Sequence, residues 1–193
     1  MSIDQIKKLR AETGISISEC KEALDSAQGD LEKAKEFLKK KGREIAANKS
    51  AREAHQGIIE SYIHANGKVG VLIELRCESD FVAKSEQFQE LARELAMQIA
   101  AMSPLYVRAE DIPEAVVEKE KEIYQEQMKG SNKPAEIAEK IIAGKLEKWY
   151  SEVVLLHQKW IKDDSRTVKD LINGLVSKLG ENIEVAQFTR FEI

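Results

Sequence analysis

An acid and an aromatic stand side by side at Asp80-Phe81, flanked by Ser79 and Val82, where a strand pattern gives way to a helix pattern. Binding residues and chemistry concentrate in connections held by a rigid scaffold. Taken alone, Asp80 is a helix N-terminal acid favoured by the macrodipole. Phe81 falls on the core side whether counted in twos from Cys77 or back seven from Phe88. Periodicity therefore predicts a buried corner ring. Other chemistry is missing. His55, His64 and His157 show no metal-ligand spacing with each other or with Cys20 and Cys77. Gly67-Lys68 and Gly144-Lys145 lack the upstream glycine and following hydroxyl of a phosphate-binding loop. GxGxxG and a nucleophile elbow are absent, and no Asp or Glu pair is singled out. The expectation is a protein that acts by binding and is not an enzyme, with no cofactor and no metal.

Two elements must hold this corner. Val71, Ile73, Leu75 and Cys77 alternate with Leu72, Glu74, Arg76 and Glu78, the period of a half-buried strand. Phe88, Leu91, Ala92, Leu95, Ile99 and Met102 then recur at helical spacing. Upstream, Gly57 to His64 predicts a strand, and Asn66-Gly67 is a strong hairpin signal because both residues tolerate positive φ. A two-residue loop sets Ile58 and Tyr62 opposite Leu75 and Val71, but turns Glu60 inward opposite Ile73. A longer loop relieves that conflict. Ile183 to Ile193 is rich in strand formers and should add a third strand.

Composition agrees with a helix-rich globular chain. Of the 193 residues 42% are hydrophobic and 33% charged, with 3 prolines and a net charge of −4. No apolar run approaches the roughly 20 residues of a membrane span, and MSIDQIKKLR lacks a signal-peptide core. The cytosol is the expected compartment, and both cysteines read as packed thiols. The basic excess of residues 1–56 is too weak to predict direct nucleic-acid binding.

Residues 2–41 predict three short helices. Ser16 with Glu19 fits a capping box, Asp30 caps the third helix and Gly42 ends it. So small a unit buries little area and fits docking better than catalysis. In the loop Thr13-Gly14-Ile15-Ser16-Ile17, either both isoleucines tuck into the three-helix core or one makes an exposed contact; pattern slightly favours the first. Residues 43–56 read as a part-helical linker, and 57–193 as a second domain. Past Ser103-Pro104, Asp111-Ile112-Pro113 opens a helix followed by Gly130. Pro134 starts a long segment in which Ile137, Ile141, Trp149, Val153, Leu156 and Trp160 recur, with Gly144 a bend or break. Asp163-Asp164-Ser165 is expected to be a loop, and Val168 to Leu179 an amphipathic helix ended by Gly180.

Three stretches carry a family resemblance. LRAETGISISECKEALDSAQGDLEKAKEFLKKKG resembles the LRxxTGxxxxxCKxALxxxxGDxxxAxxxLxxxG pattern of bacterial elongation factor Ts. ELRCESDFVAKSEQF resembles that family's E-x-N-C-E-T-D-F-V-A-K signature, with Arg76 for Asn and Ser79 for Thr. GENIEVAQFTRFE resembles its closing strand. The resemblance implies an α+β fold: an N-terminal three-helix, ubiquitin-associated-like domain, then a small antiparallel three-stranded sheet packed with helices. It implies a guanine-nucleotide exchange factor for elongation factor Tu. Ser79, Asp80, Phe81 and Val82 then enter the partner's Mg²⁺ region, and the N-terminal domain docks through Leu9, Arg10, Thr13, Gly14, Ile15, Ile17, Cys20 and Lys21. At this length it implies the short, homodimeric form. Competing readings are a non-catalytic adaptor or a ribosome-associated protein acting through the N-terminal module and the basic stretch Lys39 to Arg52.

Overall fold

Val69–Cys77 forms the central strand β2 of an antiparallel sheet, flanked by β1 (Gln56–Ile63) and β5 (Ile183–Glu192). The computed structural model describes residues 2–128 and 134–193. The alternation of β2 does what its period dictates: Val71, Ile73, Leu75 and Cys77 are buried, and their neighbours face outward. Ile58 pairs with Leu75, Glu60 with Ile73 and Tyr62 with Val71, the register of a two-residue Asn66-Gly67 loop. Gly67 adopts φ 68°, which a side chain would resist. The connection itself is longer, with residues 65–68 between His64 and Val69 and the Gly67 amide donating to the His64 carbonyl at 2.8 Å, but the register is the same and Glu60 stays opposite Ile73. β1 is an edge strand, so Glu60 stays half-buried and accepts a hydrogen bond from the Ser61 amide at 3.0 Å.

Helices close the inner face. Phe88, Leu91, Ala92, Leu95 and Ile99 of α5 (Glu86–Met102) meet Val168, Ile172 and Val176 of α8 (Val168–Leu179) and the sheet in one cluster. Gly180 caps α8 in the left-handed region at φ 78°, and the chain turns into β5.

The N-terminal helices are α1 (Ile3–Thr13), α2 (Ile17–Ser26) and α3 (Leu31–Lys49). Leu9, Cys20, Ala23, Leu24, Ala34 and Leu38 build their separate core. Asp30 caps α3 as expected. Ser16 caps α2, but its hydroxyl donates to the Glu19 carboxylate, so the reciprocal half of the box is absent. Gly42 does not end α3. It is buried against Ser177 of α8, where a Cβ would lie 3.7 Å from the serine Cβ. Glycine costs a helix about 1 kcal/mol, and here the missing side chain lets two helices approach closely. Residues 43–49, read as the start of a part-helical linker, are helical and continue α3, and Ala46 joins the larger core.

Three further expectations give way. α6 (Glu114–Met128) and α7 (Ala135–Val153) form a helical hairpin, and α7 runs unbroken through Gly144. A single glycine costs too little to break a helix braced by a neighbour. Leu156 and Trp160 lie beyond α7, because Val154 is extended and the Val153 carbonyl accepts from the Leu105 and Tyr106 amides. Trp160 sits in β3 (Lys159–Trp160), which pairs with β4 (Asp163–Thr167), so Asp163-Asp164-Ser165 is strand and no loop. Gly130 lies outside the described residues.

Candidate partner-binding site

Ser79 ends the sheet and starts the corner. Its side chain caps α4 (Asp80–Ala83), accepting from the Val82 amide at 3.3 Å. Its carbonyl accepts from the Ala83 amide at 3.2 Å and from the Cys77 thiol at 3.1 Å. Its own amide and hydroxyl both donate to the Glu181 carboxylate, at 2.9 and 2.6 Å. Glu78 makes the mirrored contact, accepting from the Asn182 amide at 2.6 Å. Asn182 donates its side-chain amide to the Arg52 carbonyl at 2.8 Å, and the Arg52 guanidinium lies 3.6 Å from Glu78. Three distant segments therefore meet beneath the corner.

Phe81 points away from all of this. Its side chain is 83% exposed, while Phe88, seven residues on, is fully buried. The expected buried corner ring is overturned. α4 is one turn long, and Ser85 begins a new helix, so no single helical face runs from Phe81 to Phe88. Val82 and Ala83 instead face the core and anchor the turn. Asp80 is exposed and accepts from Lys84 at 2.7 Å, and that hydrogen bond holds its carboxyl below the usual range. Burial, with the Glu181 carboxylate beside it, pushes the Cys77 thiol up to about 11. Cys77 is therefore a neutral packed thiol at physiological pH. Arg76 takes no part in the corner. It points outward from β2 and holds Glu74 at 2.6 Å.

The N-terminal positions divide by burial. Leu9 and Cys20 are sealed in the three-helix core and support the surface around them. Arg10, Gly14 and Lys21 are exposed, and Thr13 and Ile15 are half-buried. Ile15 packs on the core, whereas Ile17 is 56% exposed, so the two isoleucines of the loop part company. Gly14 caps α1 at φ 68°, and Thr13 donates its hydroxyl to the Leu9 carbonyl at 2.7 Å. The corner and the N-terminal loop thus stand on two different cores. No group of His, Cys, Asp and Glu among the described residues could hold a metal.

The family model for elongation factor Ts matches residues 4–193. The chain belongs to the elongation factor Ts family. Elongation factor Ts of Thermotoga petrophila is 56% identical over 193 residues, covering all of this chain and 96% of the relative. The Thermotoga maritima protein of the same name is 55% identical over the same span, and that of Thermotoga neapolitana 54% with 97% of its length covered. Glu181, Asn182 and Glu78 were given no role by the sequence. Glu78 lies about a hundred residues from the adjacent Glu181 and Asn182, and the pairing of β2 with β5 brings them together.

Proposed function

We propose that this protein is a guanine-nucleotide exchange factor acting on elongation factor Tu during translation elongation in the cytosol. Membership of the elongation factor Ts family supports the role and the partner. The observation that carries the mechanism is Phe81, a large apolar ring held in water by a capped, hydrogen-bonded turn. Ordering a ring in solvent has no benefit to the free protein and prepays the cost of presenting it. The factor breaks no covalent bond. It shifts an equilibrium, so it must bind the nucleotide-free partner better than the loaded one. By reciprocity, nucleotide rebinding weakens the factor by the same ratio. Phe81 entering a pocket beside the partner's Mg²⁺ site displaces the segment that holds the ion. Loss of the ion removes the charge that neutralises the phosphates, and the Asp80 carboxylate opposes them directly. GDP then leaves faster.

The N-terminal helices supply attachment. Ile17, with Arg10, Gly14 and Lys21 beside it, forms the exposed part of the docking set. Ile17→Asp should raise the half-saturating factor concentration while leaving the maximal release rate in place. Phe81→Ala should do the reverse in a stopped-flow assay with labelled GDP on elongation factor Tu. Unchanged release by Phe81→Ala would remove the mechanism.

The functional unit in this reading is a homodimer. Ile59, Ile63, Leu72 and Phe191 are exposed on the outer face of the sheet, with the Ile63 side chain lying across Gly70. One apolar face repeated on both subunits is what a two-fold interface needs. Light scattering should give twice the 21.8 kDa chain mass, and Leu72→Glu should halve it.

A further inference from the structure

The geometry points to Glu181 as the positioning residue of the Asp80-Phe81 corner, an inference that rests on the exchange-factor reading for its consequence but not for its structure. α4 is four residues long, and a helix of that length does not hold itself together in water. Its most conspicuous side chain gives no help, since Phe81 touches solvent. What remains is the packing of Val82 and Ala83 on the core, together with hydrogen bonds of which the ones that start the turn pass through Ser79.

Every polar group of Ser79 is engaged. The amide and the hydroxyl hydrogen go to the two oxygens of one carboxylate, Glu181 Oε2 at 2.9 Å and Oε1 at 2.6 Å. The hydroxyl lone pair receives the Val82 amide, and the carbonyl receives Ala83. A hydroxyl that caps a helix is free to spin; committing its hydrogen to Glu181 turns the lone pair toward Val82. The amide bond fixes the backbone direction at the same residue. One carboxylate thus sets both the entry angle of α4 and the strength of its cap, and with them where the Phe81 ring points. Charge-assisted bonds of this kind are about twice as strong as neutral ones.

Glu181 is itself held. Gly180 terminates α8, its carbonyl accepts from Lys49 at the end of α3, and Asn182 is tied to Glu78 and to the Arg52 carbonyl. The carboxylate is therefore delivered from a braced turn and not from a free side chain on the surface.

Six proteins test this: wild type, Glu181→Gln, Ser79→Ala, Ser79→Thr, Phe81→Ala and the Glu181→Gln/Phe81→Ala double variant. Hydrogen exchange of the 78–84 segment is the readout that needs no partner. Faster exchange there in Glu181→Gln and in Ser79→Ala, with the 88–99 segment unchanged, supports the role; unchanged exchange in Ser79→Ala overturns it even if Glu181→Gln fails to fold. Stimulated GDP release on elongation factor Tu is the second readout. Glu181→Gln should lower the maximal rate roughly tenfold with half-saturation retained, and Ser79→Thr, which keeps the hydroxyl, should match wild type. In the Phe81→Ala background the Glu181→Gln effect should shrink to what Asp80 alone still contributes, because the ring that Glu181 positions is gone. A further drop of the same size in that background overturns the inference. A wild type that does not accelerate release defeats the exchange reading and leaves the hydrogen-exchange result to decide the structural claim.

Discussion

Phe81 and Phe88 offer one chemical group in two opposite settings, and replacing each with alanine separates folding from function. Phe88 is fully buried among the α5 stripe and the sheet. Its loss removes transfer energy and leaves a cavity, about 3–5 kcal/mol together. Against a total stability of about 5–15 kcal/mol that is a severe loss. For a chain of this size it lowers Tm by roughly 6–20 °C at 2–4 °C per kcal/mol. Phe81 is 83% exposed, so Phe81→Ala should change stability by no more than about 0.5 kcal/mol and Tm by about 2 °C. Its cost should appear only with the partner. Burying a phenylalanine in another protein's pocket contributes about 1.5–3 kcal/mol, equivalent to roughly a ten- to hundred-fold loss in stimulated GDP release. Thermal or guanidinium unfolding of both variants, beside a stopped-flow release assay, reads both halves. Two results refute the reasoning. One is a Phe81→Ala protein destabilised by more than about 1 kcal/mol, since the ring would then be packed in the free protein. The other is a Phe81→Ala protein that stimulates release as well as wild type.

Asp170 ties α3 to α8 and gives a pH signature. Burial raises its pKa, but the Arg43 guanidinium at 2.7 Å, the Thr167 amide and Lys39 at 3.1 Å outweigh it and bring the value down to about 2. A folded pKa below the ordinary 3.8 stabilises the fold above that pH, by about 2 kcal/mol, and the stabilisation is lost as pH falls through 2. Urea unfolding at pH 7, 4 and 3 should show wild type losing more stability than Asp170→Asn across the acid range, and parallel losses would contradict this. Gly57 opens β1 at φ 154°, where a Cβ would stand 2.2 Å from the Leu75 carbonyl oxygen. Gly57→Ala must displace backbone and should cost about 2 kcal/mol or more, a Tm drop of roughly 4–8 °C; a melt within 1 °C of wild type would show that the strand shifts freely.

Much of the fold was written locally. The alternation of Val71 to Cys77, the stripe from Phe88 to Ile99, the Asn66-Gly67 turn and the caps at Ser16, Asp30, Ser85 and Gly180 are each decided within a few residues. Local rules work there because hydrogen bonds and side-chain direction repeat with short periods. The same rules misplaced the end of α3, because Gly42 looks like a stop until Ser177 packs against it from 135 positions away. They missed β3 and β4, a short hairpin across Ile161-Lys162 whose mostly polar residues carry no strand period.

The corner shows the division most sharply. Residue types at Ser79-Asp80-Phe81-Val82 marked the place, and family resemblance gave it a meaning, but counting in twos or sevens buried the ring. Periodicity assumes that one element continues, and here a strand, a single helical turn and a second helix follow in succession. Each break resets which side faces the core. The exposure of Phe81, and the Glu181 carboxylate that sets its turn, arise from β5 closing on β2, a contact between residues a hundred positions apart that no local pattern encodes.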